Sequence, residues 1–114
     1  MTTLTSQAAA GALAAKTRLP VAQRRKARRL VVQAMYQHLL SGSTPGAIEE
    51  EFREEHTGKV DWEYFTEILV GIVTHRNELD THIEPLLDRK ASALDPIEQA
   101  VIYLGTYEFA NRID

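Results

Sequence analysis

Apolar residues recur along much of the chain at spacings of three and four, the period of an α-helix with one buried side. The first such run predicts a helix from about Pro20 to Leu40, because proline suits the first turn of a helix and disfavours helical geometry in the residue before it. The stripe that we expect to face the core comprises Leu30, Val31, Ala34, Met35, His38 and Leu39.

Turn residues then divide the chain into further helices. Gly42 suits a helix exit, Thr44 can cap the next helix and Pro45 can begin it, which predicts a short second helix ending near His56. Asp61 can cap a third helix. We expect Pro85 to kink or end that helix, whose long apolar seam comprises Phe65, Leu69, Ile72, Leu79 and Ile83.

The segment Asp95-Pro96-Ile97-Glu98 has the form of a capping box, with Asp95 as the N-cap and Glu98 reaching back to it. It predicts a last helix whose buried side comprises Ala100, Val101, Leu104 and Tyr107. Gly71 and Gly105, each inside a helical pattern, are expected to permit close approach of a neighbouring helix. Since no alternating strand pattern or internal repeat occurs, the predicted fold class is all-α, a compact helical bundle of about four to five helices.

The chain has 114 residues, of which 44% are hydrophobic, enough for one modest core. Residues 1–19 are poor in large apolar groups and are expected to form a flexible N-terminal tail, and residues 20–114 to form one domain. No apolar run approaches the roughly 20 residues that cross a bilayer, and no secretory signal is recognisable. We therefore expect a cytoplasmic protein without a membrane partner, and the lack of cysteine excludes disulfides and thiolate chemistry.

Charge is distributed unevenly along the chain. Residues 1–29 contain seven basic residues and no acidic one, a net charge of +7, whereas residues 30–114 have a net charge of −10. Such an asymmetry indicates a polyanionic partner for the basic part.

Five of the basic side chains fall within six residues: Arg24, Arg25, Lys26, Arg28 and Arg29, here called the basic segment. At the start of a helix, such cations oppose the macrodipole by roughly 0.3–1 kcal/mol each, so helix stability does not explain them and a binding role does. Arginine pairs with phosphate and stacks on unpaired bases, which favours single-stranded RNA as the ligand. The alternative is a solvated charged end that the acidic body neutralises, through Glu49, Glu50 and Glu51 or through Glu54 and Glu55.

Other chemistry has little support in the sequence. No phosphate loop, metal-binding helix or nucleophile motif occurs, so we expect no catalytic residue, no cofactor and no enzyme activity. His75 and His82 would share a helix face, but two ligands are too few for a metal site. Trp62, Tyr64 and Phe65 could stack on bases, yet their position at the start of a core helix favours packing.

Three stretches together resemble the NusB family, over about Ala22 to Asp114: RRKARRLVVQAMYQHLLS, DWEYFTEILVGIVTHRNELDTHIEPLLDR and LDPIEQAVIYLGTYEF. The resemblance implies a helical bundle that binds boxA-type RNA together with the ribosomal protein NusE, within the transcription elongation complex, in antitermination and ribosomal RNA synthesis. It also implies that the basic segment holds the RNA and that Glu98 lies towards NusE. Where the family often has a tyrosine after the proline, this chain has Leu86.

The family usually continues past the YEF segment with two further helices, so we expect this chain to be C-terminally incomplete relative to the family. Apolar faces of its last helices would then be exposed, which favours a homodimer. Two alternatives to the antitermination factor remain: a helical scaffold that binds only protein, and the RNA-binding appendage of an RNA methyltransferase.

Overall fold

A computed structural model describes the backbone of residues 2–111 and the side chains of residues 21–111. Its elements are α1 (Thr2–Ser41), α2 (Pro45–Glu55), α3 (Trp62–Thr74), α4 (Arg76–Leu87) and α5 (Pro96–Asn111), with a 3-10 turn at Ala91–Ala93 before α5. Residues 2–111 contain no strand. The all-α prediction of four to five helices is therefore confirmed.

The predicted start of the first helix is wrong, because α1 begins at Thr2 and continues through Pro20. Alanine, the strongest helix former, predominates over residues 8–15. The basic segment therefore lies inside a long helix, so the macrodipole argument for its binding role does not apply. The flexible tail over residues 1–19 falls outside the described side chains and remains a prediction.

The core forms where the inner side of α1 packs against α3 and α5. Arg28 contacts Glu108 near the end of α5, whereas Ile97 at its beginning shares a groove with Leu40 of α1, so the two helices run antiparallel. Of the predicted stripe on α1, His38 and Leu39 are half-buried. The buried members of the stripe are Leu30, Val31, Ala34 and Met35.

Most of the predicted helix ends are confirmed. Gly42 has φ +74°, a conformation that glycine adopts without strain, and ends α1 together with Ser41. The Thr44 hydroxyl accepts a hydrogen bond from the Ala47 amide at 3.2 Å and caps α2. Asp61 Oδ1 caps α3 by accepting from the Tyr64 amide at 3.0 Å.

The capping box before α5 is only half formed. Asp95 Oδ1 accepts from the Ile97 amide at 2.8 Å, as expected of an N-cap. Glu98 is exposed and makes no side-chain hydrogen bond within the described part of the chain. Glu98 is therefore free of the capping role that the sequence suggested for it.

The apolar seam predicted for one long helix is divided between two. All five seam residues are buried, but the helix breaks at His75, whose φ and ψ are −105° and 19°. The break lets α3 pack against α1 while α4 packs against α5. Pro85 does not end α4, which continues to Leu87 and stops at Asp88 with φ +60°.

The buried side of α5 differs from the predicted one at Val101, which is 51% exposed. The polar residues Gln99 and Tyr103 are buried instead, because each has a hydrogen-bond partner. The Gln99 amide donates to the Leu94 carbonyl at 2.8 Å, and the Tyr103 hydroxyl donates to Asp80 at 2.6 Å. Burial, reinforced by the bond to Asp80, raises the pKa of Tyr103.

The two helix glycines differ in their surroundings. The Tyr107 ring packs on Gly71 so closely that a Cβ at residue 71 would overlap the ring and its hydroxyl. This close approach of α5 to α3 is the one that the sequence predicted. At Gly105 the prediction is wrong, since a Cβ there would have nothing within 4 Å.

We predict opposite effects for alanine at these two positions. Gly71→Ala should lower the free energy of unfolding by about 1–3 kcal/mol, because the added methyl group displaces the Tyr107 ring. Gly105→Ala should leave the stability unchanged or raise it by about 0.5–1 kcal/mol through better helix propensity. Urea denaturation followed by circular dichroism measures both; equal effects of the two substitutions would contradict the packing described.

Candidate nucleic-acid interface

The basic segment occupies the part of α1 that lies beside the α2–α3 connection and the end of α5. Ala27 and Leu30 face the core, so the cations are distributed over the remaining surface of the helix. The structure separates them into two anchored arginines, one lysine beside a loop and two exposed arginines.

Arg24 and Arg28 are anchored by carboxylates of the acidic body. The Nε of Arg28 lies 2.8 Å from one carboxylate oxygen of Glu108 and 3.0 Å from the other. The Nε of Arg24 lies 3.6 Å from Asp61 Oδ2, too far for a hydrogen bond, and its guanidinium carbon is 4.7 Å from the centroid of the Tyr64 ring. Neither arginine is hidden, because their side chains are 43% and 48% exposed.

The remaining three cations have other surroundings. Lys26 is half-buried, and its Nζ lies against Gly58 in the α2–α3 connection. Arg25 and Arg29 are exposed on the side of α1 opposite the core, and neither has an ion pair within the described side chains. One helical turn separates them, so their guanidinium groups can reach the same ligand.

The alternative of neutralisation by the acidic body therefore holds for two of the five cations, but the expected partners are wrong. Glu49 Oε2 lies 3.0 Å from Arg53 Nε, in an ion pair within α2. Glu51 Oε2 accepts a hydrogen bond from Gln37 Nε2 at 3.2 Å. Asp61 and Glu108, which the sequence did not indicate, supply the pairing instead.

Tyr64 is a further residue at the interface, for which the sequence favoured core packing over base stacking. Its side chain is buried, as expected for that role. Its ring also lies under Arg24, and its hydroxyl donates to Glu108. No sequence signal connects Tyr64 with Glu108, because 44 residues separate them and only the packing of α3 on α5 brings them together.

Glu98 lies on a different part of the surface from the basic segment. It is exposed at the beginning of α5, ten residues before Glu108, which corresponds to about 15 Å along the helix. Its neighbour Ile97 is 52% exposed and borders a groove of about 650 Å³. The apolar residues that line this groove are Val32, Tyr36, Leu40, Phe52 and Ile97.

The histidines provide no metal centre among the described residues, where no group of three or more His, Asp or Glu side chains could hold an ion. His75 lies 3.7 Å from Glu78, and His38 Nδ1 lies 2.8 Å from the Ser43 carbonyl oxygen. No helix in the described part of the chain is long and apolar enough to cross a membrane.

Comparison with known proteins gives a consistent result. The model of the NusB family matches residues 25–114. The chain is 48% identical over 94 residues to the transcription antitermination protein NusB of Idiomarina loihiensis, covering 82% of this chain and 68% of that protein. The proteins of the same name from Pseudomonas savastanoi and Shewanella halifaxensis are 43% and 44% identical, over 82% and 81% of this chain. The chain spans 57% of the Pseudomonas protein and 69% of the Shewanella protein.

The anchored and the exposed arginines should differ in their contribution to stability. Arg28→Ala should lower the free energy of unfolding by about 1–3 kcal/mol, because it leaves the largely buried Glu108 carboxylate without its cation. Arg25→Ala and Arg29→Ala should change it by less than about 0.5 kcal/mol, since both side chains are exposed and neither has a hydrogen bond or ion pair with another described side chain. Thermal and urea unfolding measure these changes. If Arg25→Ala lowers the free energy of unfolding as much as Arg28→Ala does, the division into anchored and exposed arginines is wrong.

Proposed function

Because the chain belongs to the NusB family, we propose that it is a transcription antitermination factor that binds RNA and is not an enzyme. The ligand is single-stranded boxA-type RNA, bound together with the ribosomal protein NusE, and the complex supports ribosomal RNA transcription within the transcription elongation complex in the cytoplasm. The observation that carries the proposal is the pair Arg25 and Arg29, which are exposed and have no ion pair with a described side chain, in a chain whose residues 30–114 have a net charge of −10.

The basic segment suits RNA in both charge and chemistry. Arg25 and Arg29 lie one turn apart, and each can pair with a phosphate without first breaking an ion pair to a carboxylate of residues 21–111. Arg24 and Arg28, half-exposed at the side of this pair, and Lys26 extend the surface over which a strand is contacted. The acidic remainder of the chain confines the RNA to this region by repulsion.

The position of Glu98 suits a protein partner. Glu98 is exposed and makes no ion pair within the described residues, and its chain neighbour Ile97 borders the groove. An apolar groove with a charge at its rim is the usual anatomy of a protein–protein contact. We place NusE at this groove, with Glu98 facing a basic group of the partner.

The two surfaces are neighbours on the outer side of α1. Arg25, Arg29, Gln33 and Tyr36 are all exposed and follow the same side of the helix, from the basic segment to the groove. RNA held by the arginines therefore lies next to a protein in the groove, and each ligand can strengthen binding of the other.

We predict that RNA affinity depends strongly on salt. If four or five phosphates are contacted, the slope of log affinity against log salt concentration should be about −3, at about −0.7 per contact. The double substitution Arg25→Ala and Arg29→Ala should weaken binding and reduce the magnitude of the slope by about 1.4. Fluorescence anisotropy with boxA-type and scrambled single-stranded RNA, with and without NusE, measures all of these quantities.

Arg53→Ala is the matched control, because Arg53 is a half-exposed arginine on α2 that pairs with Glu49 rather than belonging to the basic segment. It should leave the slope unchanged. Equal weak binding of both RNAs with a slope near zero would reject RNA binding and leave the protein-only scaffold. In that case Glu98→Lys should still abolish NusE binding.

A homodimer is a separate proposal, based on exposed apolar side chains of α4 and α5. Leu86 is 85% exposed and Phe109 is 76% exposed, and both line a groove of about 600 Å³. We predict that the chain self-associates as its concentration rises, and that Leu86→Ser with Phe109→Ser keeps it monomeric. Val70→Ser, at an exposed valine of α3, is the control. Sedimentation equilibrium showing a monomer at every concentration would reject the dimer.

A further inference from the structure

Both anchored arginines use the same part of the guanidinium group for their internal contacts. Arg28 reaches both oxygens of Glu108 through Nε, and the ion pair of Arg24 with Asp61 is also made through Nε. An arginine has further N–H donors on its two Nη groups at the end of the side chain. None of the hydrogen bonds and ion pairs that Arg24 and Arg28 make with described residues uses an Nη group, and each side chain is about half-exposed, so the terminal groups are available to a ligand.

Tyr64 connects the two anchors. Its ring supports the guanidinium group of Arg24, at 4.7 Å between the guanidinium carbon and the ring centroid. Its hydroxyl donates to the same Glu108 oxygen, Oε2, that lies 2.8 Å from the Nε of Arg28. Tyr64 is 5% exposed and Glu108 is 13% exposed, so this support is held by the core of the protein and does not move freely in solvent.

Arginine side chains on a helix surface ordinarily sample many rotamers, and binding must then immobilise them. Here Tyr64, Glu108 and Asp61 restrict two of them before any ligand arrives. With Nε engaged, the edge formed by the two Nη groups is the one left for a forked pair with phosphate.

We propose that Tyr64, Glu108 and Asp61 are positioning residues for phosphate recognition, holding Arg24 and Arg28 with their Nη groups presented to the RNA backbone. This inference rests on the proposed RNA binding. It assigns a positioning role to the carboxylates of Asp61 and Glu108. Electrostatics alone would predict that these carboxylates weaken RNA binding, because a negative charge beside RNA repels phosphate.

The substitution Glu108→Gln distinguishes a carboxylate that repels RNA from one that positions Arg28, because the two roles predict opposite changes in RNA affinity. If Glu108 only repels RNA, removing its charge strengthens binding. If Glu108 positions Arg28, its loss weakens binding by about three- to tenfold, the cost of immobilising one or two side chains. The salt slope should stay unchanged, since every cation remains, whereas Arg28→Ala should reduce its magnitude by about 0.7.

Tyr64→Phe is the second variant, and it changes no charge. It keeps the ring under Arg24 and removes only the hydroxyl that donates to Glu108. We expect RNA affinity to fall about threefold with the same salt slope. If Glu108→Gln lowers the folded fraction, this milder variant decides the matter.

Glu49→Gln is the matched control for the loss of a carboxylate. Glu49 also accepts from a hydroxyl, that of Thr66, and also pairs with an arginine Nε, that of Arg53. Its substitution should leave RNA affinity unchanged or raise it slightly. Active-fraction titration with RNA and circular dichroism on each variant separate weaker binding from partial unfolding.

The outcomes distinguish this inference from the function on which it rests. A wild-type protein without salt-dependent RNA binding overturns the proposed function. A wild-type protein that binds RNA, together with Glu108→Gln and Tyr64→Phe variants that bind equally well or more tightly, overturns the positioning role alone.

Discussion

Burial of the inner side of α1 against α3 and α5 is the constraint on which the rest of the structure depends. Ala27, Leu30 and Val31 must face this core, and the helical period then fixes the direction of every neighbouring cation. Arg24 and Arg28 are directed to the edge where α3 and α5 supply carboxylates, while Arg25 and Arg29 are directed away from all of them. The division of the basic segment thus follows from the packing of apolar residues in the same helix.

Much of this could be predicted from local sequence, because the period of apolar residues and the chemistry of turns act over a few residues. The helix exit at Gly42 and the caps at Thr44 and Asp61 are examples, and so is the number of helices. The break at His75 could not be predicted, since the apolar period continues across it and only the different packing partners of α3 and α4 require it. The start of α1 differs from the prediction because the alanine-rich segment before Pro20 favours a helix that continues through the proline.

The polar contacts between residues far apart in the chain could not be predicted from the sequence. Val101 was expected in the core because it is apolar, but Gln99 and Tyr103 occupy the buried side of α5. They can do so because Leu94 and Asp80 satisfy their hydrogen bonds, and such partners are invisible in a helical pattern. The same limit applies to the interface: its five cations could be identified from the sequence, whereas Asp61, Tyr64 and Glu108 could be connected with them only in three dimensions.

Ion pairing of the basic segment does not by itself argue against a role in binding. A salt bridge removes a cation from use only if it buries the donors that a ligand would need, and here the contacts engage Nε while the side chains remain about half-exposed. The carboxylates lower the local positive charge and at the same time reduce the conformational freedom of the arginines, two effects of opposite sign on phosphate affinity. Because solvent and salt screen charge at a half-exposed site, the loss of long-range attraction is small there, while the short contacts to the largely buried Glu108 are screened less. The geometry therefore favours orientation as the larger effect, leaving long-range attraction mainly to the exposed pair Arg25 and Arg29.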